Sequence, residues 1–218
     1  MNTNPQAKVV LCFGDSNTWG QNEDKGFGER YPVNVRWTGR LQQLLGTDYY
    51  VIEEGLGGRT VDLDDPRPEK PGRNGFDYFL PCFISHSRVD LAVIMLGTND
   101  LKAQFSKSVL DIANSLNKYI ETIRSLSPKT LILLVSPVPL NTNASKFKEY
   151  YGELYNEESG GNSIELAKEI QKVAKDKEVL FLEAGVVAKV GLDGLHLDPQ
   201  SHSFLAEAVN EIIKRDEY

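Results

Sequence analysis

KVVLCFGDSNTWG, residues 8–20, is the stretch from which the rest of the chain is read. Five apolar residues in a row, Val9 to Phe13, have no helical period and read as a strand buried on both faces. The run stops on Gly14 and is followed by an acid, a hydroxyl and an amide: Asp15, Ser16 and Asn17. Glycine lets the strand turn sharply, an Asp braces such a turn through backbone hydrogen bonds, and Ser16 is carried to the strand's carboxyl end. Similar runs return at 49–54, 89–96, 130–136 and 178–183. Between them, segments of helical pattern occupy 35–46, 75–87, 106–127 and 163–177, and a last one fills 199–216. In 106–127, Val109, Ile112, Ala113, Leu116, Ile120 and Ile123 recur at three- and four-residue steps and share one face. Strand and helix alternate, so an α/β fold is expected, with a parallel sheet covered by helices on both sides. Two connections, 60–75 and 137–162, are long enough to be site walls or contact surfaces.

The chain has 218 residues, 40% of them hydrophobic and 25% charged, which fits a single domain over 1–218. A net charge of −7 with no long basic run argues against nucleic acid or an anionic membrane as partner and favours a small molecule. The first seven residues are polar, and no run approaches the roughly 18 apolar residues of a membrane span, so a cytoplasmic location is expected. Cys12 and Cys82 have no metal-ligand spacing and read as buried thiols rather than nucleophiles.

Open parallel sheets bind ligands beyond the carboxyl ends of their strands. Gly14-Asp15-Ser16-Asn17 follows the first strand, Gly55-Leu56-Gly57-Gly58-Arg59 the second, and Gly97-Thr98-Asn99-Asp100 the third; Asp193-Gly194-Leu195-His196 comes after the fifth. These pieces suit acyl transfer. A serine needs a base, and imidazole ordinarily titrates near neutrality, which makes His196 the candidate for Ser16. Asp193, three residues earlier, can accept from the ring and fix its tautomer. The N–H groups of Ser16 and Gly58 and the amide of Asn99 are candidate donors to an oxyanion.

Each piece also has a plainer reading. Ser16 could be a helix N-cap, GTND a polar turn and Gly57-Gly58 a bend, but all would have to coincide at the strand ends. Asp198 rivals Asp193, yet it precedes Pro199 and fits the cap of the last helix. His86 and His202 read as structural. A metal site from His196, Asp198 and His202 lacks a completing cluster, so neither metal nor other cofactor is expected. A non-catalytic binding module would keep the fold, but no phosphate-cradling glycine pattern supports it.

GDSN, Gly57-Gly58, GTND and DGLH, in that order, resemble the SGNH (GDSL-type) hydrolase superfamily. VLCFGDSNTWG, VRWTG, VIEEGLGGRT, IMLGTND and VSPVPL are similar to its arylesterase/acyltransferase branch over nearly the whole chain. The resemblance implies a flavodoxin-like three-layer α/β/α sandwich with a five-stranded parallel sheet. It implies Ser16 as nucleophile, His196 as base, Asp193 as its partner, and Ser16, Gly58 and Asn99 as oxyanion donors. It further implies cofactor-free hydrolysis of short acyl or aryl esters, with acyl transfer to alcohols in some members and homo-oligomers in others. Two positions depart from the family pattern. Asn17 is polar where the family's motif is apolar, and Gly57 stands where relatives often carry serine, which would enlarge the acyl pocket. The same machinery would serve a carbohydrate O-acetylesterase or a lysophospholipase. Asp15 and Asp100 are expected to support the site, Trp19, Phe27 and Trp37 are candidates to line a pocket, and Tyr150, Tyr151 and Tyr155 to cover it or meet another subunit.

Overall fold

A computed structural model describes residues 2–25 and 28–215. The strands are β1 (Lys8–Gly14), β2 (Tyr49–Gly55), β3 (Leu91–Met95), β4 (Leu131–Ser136) and β5 (Leu180–Glu183). All pair in parallel, in the order β2-β1-β3-β4-β5. The helices are α1 (Ser16–Trp19), α2 (Trp37–Leu45), α3 (Gly75–Ser85), α4 (Val109–Ser115), α5 (Asn117–Leu126), α6 (Phe147–Tyr151), α7 (Ser159–Asp176), α8 (Ala184–Val187) and α9 (Pro199–Arg215).

Strand side chains alternate between faces, which is why uninterrupted apolar runs were needed: both faces are core. Leu11 and Phe13 of β1 with Ala92 and Ile94 of β3 pack under α3, α4, α5 and α7. Val10 and Cys12 with Val93 and Met95 pack under α2, α8 and α9. The result is a flavodoxin-like three-layer α/β/α sandwich. Because β1 has β2 on one side and β3 on the other, the chain leaves it in opposite directions, and a crevice opens at the carboxyl ends of β1 and β3.

The structure departs from the sequence reading at several boundaries. Segment 106–127 is two helices, because the Leu116 N–H bonds three residues back to Ala113 O (3.1 Å) and tightens the turn there. Ile112 and Ile120 still reach one core. The 163–177 helix begins earlier, at Ser159. The connection 137–162 contains α6, and α8 follows β5 directly. Cys12 and Cys82 are buried and unbridged; burial pushes both thiols up, Cys82 to about 12, so neither is poised to attack. Among the described residues, no helix is long and apolar enough to cross a membrane.

Candidate active site

Gly14 and Gly55 lie side by side where β1 and β2 end. A Cβ on Gly14 would sit 2.1 Å from Thr18 Oγ1 and 2.9 Å from Met95 O, so only glycine lets α1 fold back against the strand end. Asp15 caps α1: its Oδ1 accepts the Asn17 N–H at 2.9 Å. Ser16 is the first residue of this helix, where backbone N–H groups have no acceptor within the helix. The side chain is nearly buried and faces the loop after α8.

That loop supplies the partners. His196 Nε2 lies 2.8 Å from Ser16 Oγ, and His196 Nδ1 lies 2.6 Å from Asp193 Oδ2. Asp193 Oδ1 accepts the backbone N–H groups of Leu195 and His196 at 2.9 and 2.8 Å, and the Tyr151 hydroxyl donates to Oδ2 at 3.3 Å. Burial would raise this carboxyl, but the hydrogen bonds and charge of His196 outweigh it and hold Asp193 below the usual carboxylate range. A hydroxyl on an imidazole whose far nitrogen meets a buried carboxylate is the arrangement that turns serine into a nucleophile.

Asn17 joins the two halves. Its Nδ2 donates to Leu195 O (3.2 Å) and its Oδ1 accepts the Leu197 N–H (2.9 Å), so one amide holds the backbone on both sides of His196. Glu23 Oε2 accepts the Leu192 N–H at 2.7 Å and steadies the same loop from its start.

Gly58 has a left-handed backbone (φ 82°) and lines the cleft beside Ser16's helix. Asn99 also lines it; its amide donates to Arg59 O (3.1 Å) and, at a long 3.4 Å, to Asp15 Oδ2. Asp100 turns away from the cleft: both its oxygens accept the Val61 N–H (3.0 and 3.1 Å), which pins the start of the 60–75 connection. It therefore supports the fold of the site and does not line it. Arg59 is buried with its guanidinium 4.2 Å from the Phe13 ring centroid, and it donates to Gly14 O (2.8 Å) and Glu54 O (2.5 Å).

The cleft that His196 and Asn99 line beside Ser16 measures about 280 Å³. Trp19, Leu56, Gly57 and Gly58 line it on one side, and Tyr151, Leu154, Tyr155 and Leu195 on another. A Cβ on Gly57 would meet nothing nearer than Gln21 Oε1 at 4.0 Å, so the missing side chain leaves open space in the cleft. Trp37 is a core residue under α9, not a pocket residue, and Phe27 lies outside the described residues. Tyr151 and Tyr155 are buried wall residues, and α6 is packed in place between the core and the cleft.

Asp198 Oδ1 accepts the Ser201 N–H (2.7 Å) at the start of α9. His202 Nδ1 accepts the Trp37 N–H (3.2 Å), and burial draws its pKa down to about 3, so it is a neutral acceptor within the core. With the His196 ring already engaged at both nitrogens, these three residues do not converge as ligands. His86, expected to be structural, lies 2.8 Å from Glu54 Oε1. With Cys82 these two form a grouping within metal-ligand reach, although none of the three lines the cleft.

Two residues of the site were missed in the sequence. Tyr151, expected to cover the site or meet another subunit, instead donates to Asp193, and the four-residue recurrence of Phe147, Tyr151 and Tyr155 was the signal for a shared buried face. Lys102, three positions beyond Asn99 and buried in the cleft wall, had the position of its loop as its only signal.

The sequence pattern of the GDSL-like lipase/acylhydrolase family matches residues 12–204. Among solved structures, the M. smegmatis aryl esterase is 37% identical with a TM-score of 0.85, over 96% of this chain and 99% of that one. A carbohydrate acetylesterase from Sinorhizobium meliloti is 33% identical with a TM-score of 0.87, over 95% and 99%. A member of the lipolytic G-D-S-L family from Veillonella parvula shares the fold at 14% identity, with a TM-score of 0.65 over 96% and 100%. Comparison with curated proteins gives no significant match.

Proposed function

The chain belongs to the GDSL-like lipase/acylhydrolase family, the SGNH esterases, and on that basis we propose that it cleaves small acyl or aryl esters through an acyl-enzyme on Ser16. The observation that carries this reading is the 2.8 Å approach of His196 Nε2 to Ser16 Oγ, backed by Asp193 at 2.6 Å. His196 takes the Ser16 proton as Oγ attacks the ester carbonyl, and Asp193 stabilises the imidazolium that forms. The tetrahedral oxyanion receives the N–H groups of Ser16 and Gly58 and the Asn99 amide, whose long bond to Asp15 is readily exchanged for a stronger acceptor. Collapse of the intermediate expels the alcohol with the proton from His196. Water then attacks the acyl-enzyme, and an alcohol that reaches the cleft first gives acyl transfer.

A cleft of about 280 Å³ favours short acyl groups over long lipid chains. A carbohydrate O-acetyl ester is the second reading, favoured by the similarity to the Sinorhizobium acetylesterase. The test is hydrolysis of p-nitrophenyl esters from acetate to octanoate by wild type and Ser16→Ala, with an acetylated sugar as competitor. The expected result is a maximum at short chains and a loss of at least roughly a thousandfold in Ser16→Ala. Turnover that survives in the variant would remove Ser16 from the mechanism, and strong inhibition by the acetylated sugar would move the carbohydrate reading to first place.

A further inference from the structure

The chain carries a net charge of −7, yet the described side chains lining the cleft include Arg67, Lys70, Arg73 and Lys102 and no carboxylate. The four are not equivalent. Arg67 is neutralised by Asp65, which accepts from its Nε at 2.8 Å and its Nη2 at 2.5 Å. Arg73 donates from Nη1 to Pro71 O (2.6 Å), and its Nε is buried without a partner. Lys102 is only 4% exposed, in the loop that follows β3 just after Asn99, and no hydrogen bond or ion pair of its ammonium occurs among the described residues.

The carboxylates around Lys102 are committed elsewhere: Asp65 to Arg67, Asp100 to the Val61 N–H, and Asp15 to the cap of α1. Burial, reinforced by Arg67, draws Lys102 down to about 8, so at neutral pH most of the protein still carries this charge. An ammonium largely removed from water without a counter-ion is costly, and a ligand carboxylate that supplies one recovers part of that cost, less its own desolvation.

We propose, building on the esterase reading, that the ester this site prefers bears a carboxylate, received by Lys102 in the wall of the cleft with Arg73 and Lys70 at its sides. A monoanion matches one buried ammonium. The Arg67 fork, which would otherwise favour a doubly charged phosphate, is taken by Asp65. The carboxylate belongs to the part of the substrate that does not react, so its binding energy orients the ester over Ser16.

The test compares kcat/KM within two pairs of esters that differ in charge. One pair is 4-acetoxybenzoate and its methyl ester, with the charge on the leaving side. The other is mono-p-nitrophenyl glutarate and p-nitrophenyl pentanoate, with the charge on the acyl side. Each ratio is divided by the ratio of the pair's hydroxide-catalysed rates, which removes intrinsic reactivity. The wild type is expected to favour the charged member of one pair by on the order of ten- to a hundredfold. In Lys102→Met that preference should collapse towards one, and because it is read within each enzyme, a general loss of activity cancels. Arg73→Gln, at a half-buried position, should reduce it less and serves if Lys102→Met does not fold. A wild type that favours the neutral member of both pairs overturns the proposal and leaves the esterase reading standing. The same holds for a preference that survives Lys102→Met intact. No turnover of any of the four esters, nor of p-nitrophenyl acetate, overturns both.

Discussion

Asn17 stands where the family's naming motif has leucine, and its amide makes two hydrogen bonds that leucine could not. With Asn17 nearly buried, Asn17→Leu would strand the Leu195 carbonyl and the Leu197 N–H in a dry interior. The expected cost is about 1 to 3 kcal/mol, read as a lower urea midpoint. The same loss frees the backbone on either side of His196, so kcat should fall with KM little changed. A lowered midpoint with normal kcat would confine Asn17 to stability. Ser16, Asp193 and His196 were legible because each lies within a few residues of a glycine-marked turn at a strand end or loop. The partners of Asn17 were not, since they lie 178 and 180 positions away in sequence and only the packed fold brings them near. Lys102 was illegible for the opposite reason: a lysine in a loop reads as solvated, and nothing local says that the fold buries it in the wall of the cleft.

The elements themselves were largely legible, because strands buried on both faces have an unmistakable pattern and long amphipathic helices repeat it at another period. What the pattern could not show is that the 137–162 connection is packed against the loop carrying His196. α6 has only five residues, and its place is fixed by contact. Gly194 is the hinge of that contact, with φ at 73° and its carbonyl accepting the Asn141 N–H at 3.0 Å. A Cβ there would stand 2.2 Å from Asn141 O and 2.9 Å from the Phe147 ring. Gly194→Ala must therefore push the connection away or lift Asp193 and His196 from Ser16. The expected outcome is a loss of more than about 1 kcal/mol in stability and at least roughly tenfold in kcat. Normal turnover on a short ester would show that the two segments move independently.

Across the whole molecule, two buried groups outside the reaction pull stability in opposite directions with pH. Burial pushes Asp100 up to about 7 from 3.8, so between those values the folded protein holds a proton that the unfolded chain has released, and stability falls as pH rises. Burial draws His202 down to about 3 from 6.5, so between those values the unfolded chain holds the extra proton and stability rises with pH. Each slope is about 1.4 kcal/mol per pH unit. The causes acting on the two groups share no residue, so their effects should add. Asp15, also raised by burial, adds to the Asp100 slope just above 3.8, whereas Asp193, lowered by His196 against its burial, acts only below 3.8. From pH 4 to 6.5 the Asp100 and His202 contributions oppose each other, so the urea midpoint of the wild type should change less with pH than that of either single variant. Each single variant should then uncover the other group. Asp100→Asn keeps an acceptor for Val61 and should give a midpoint that climbs with pH through this window. His202→Asn keeps an acceptor for Trp37 and should give one that declines. Slopes of the same sign in the two variants would mean that the acid and the imidazole do not hold these protonation states in the folded protein.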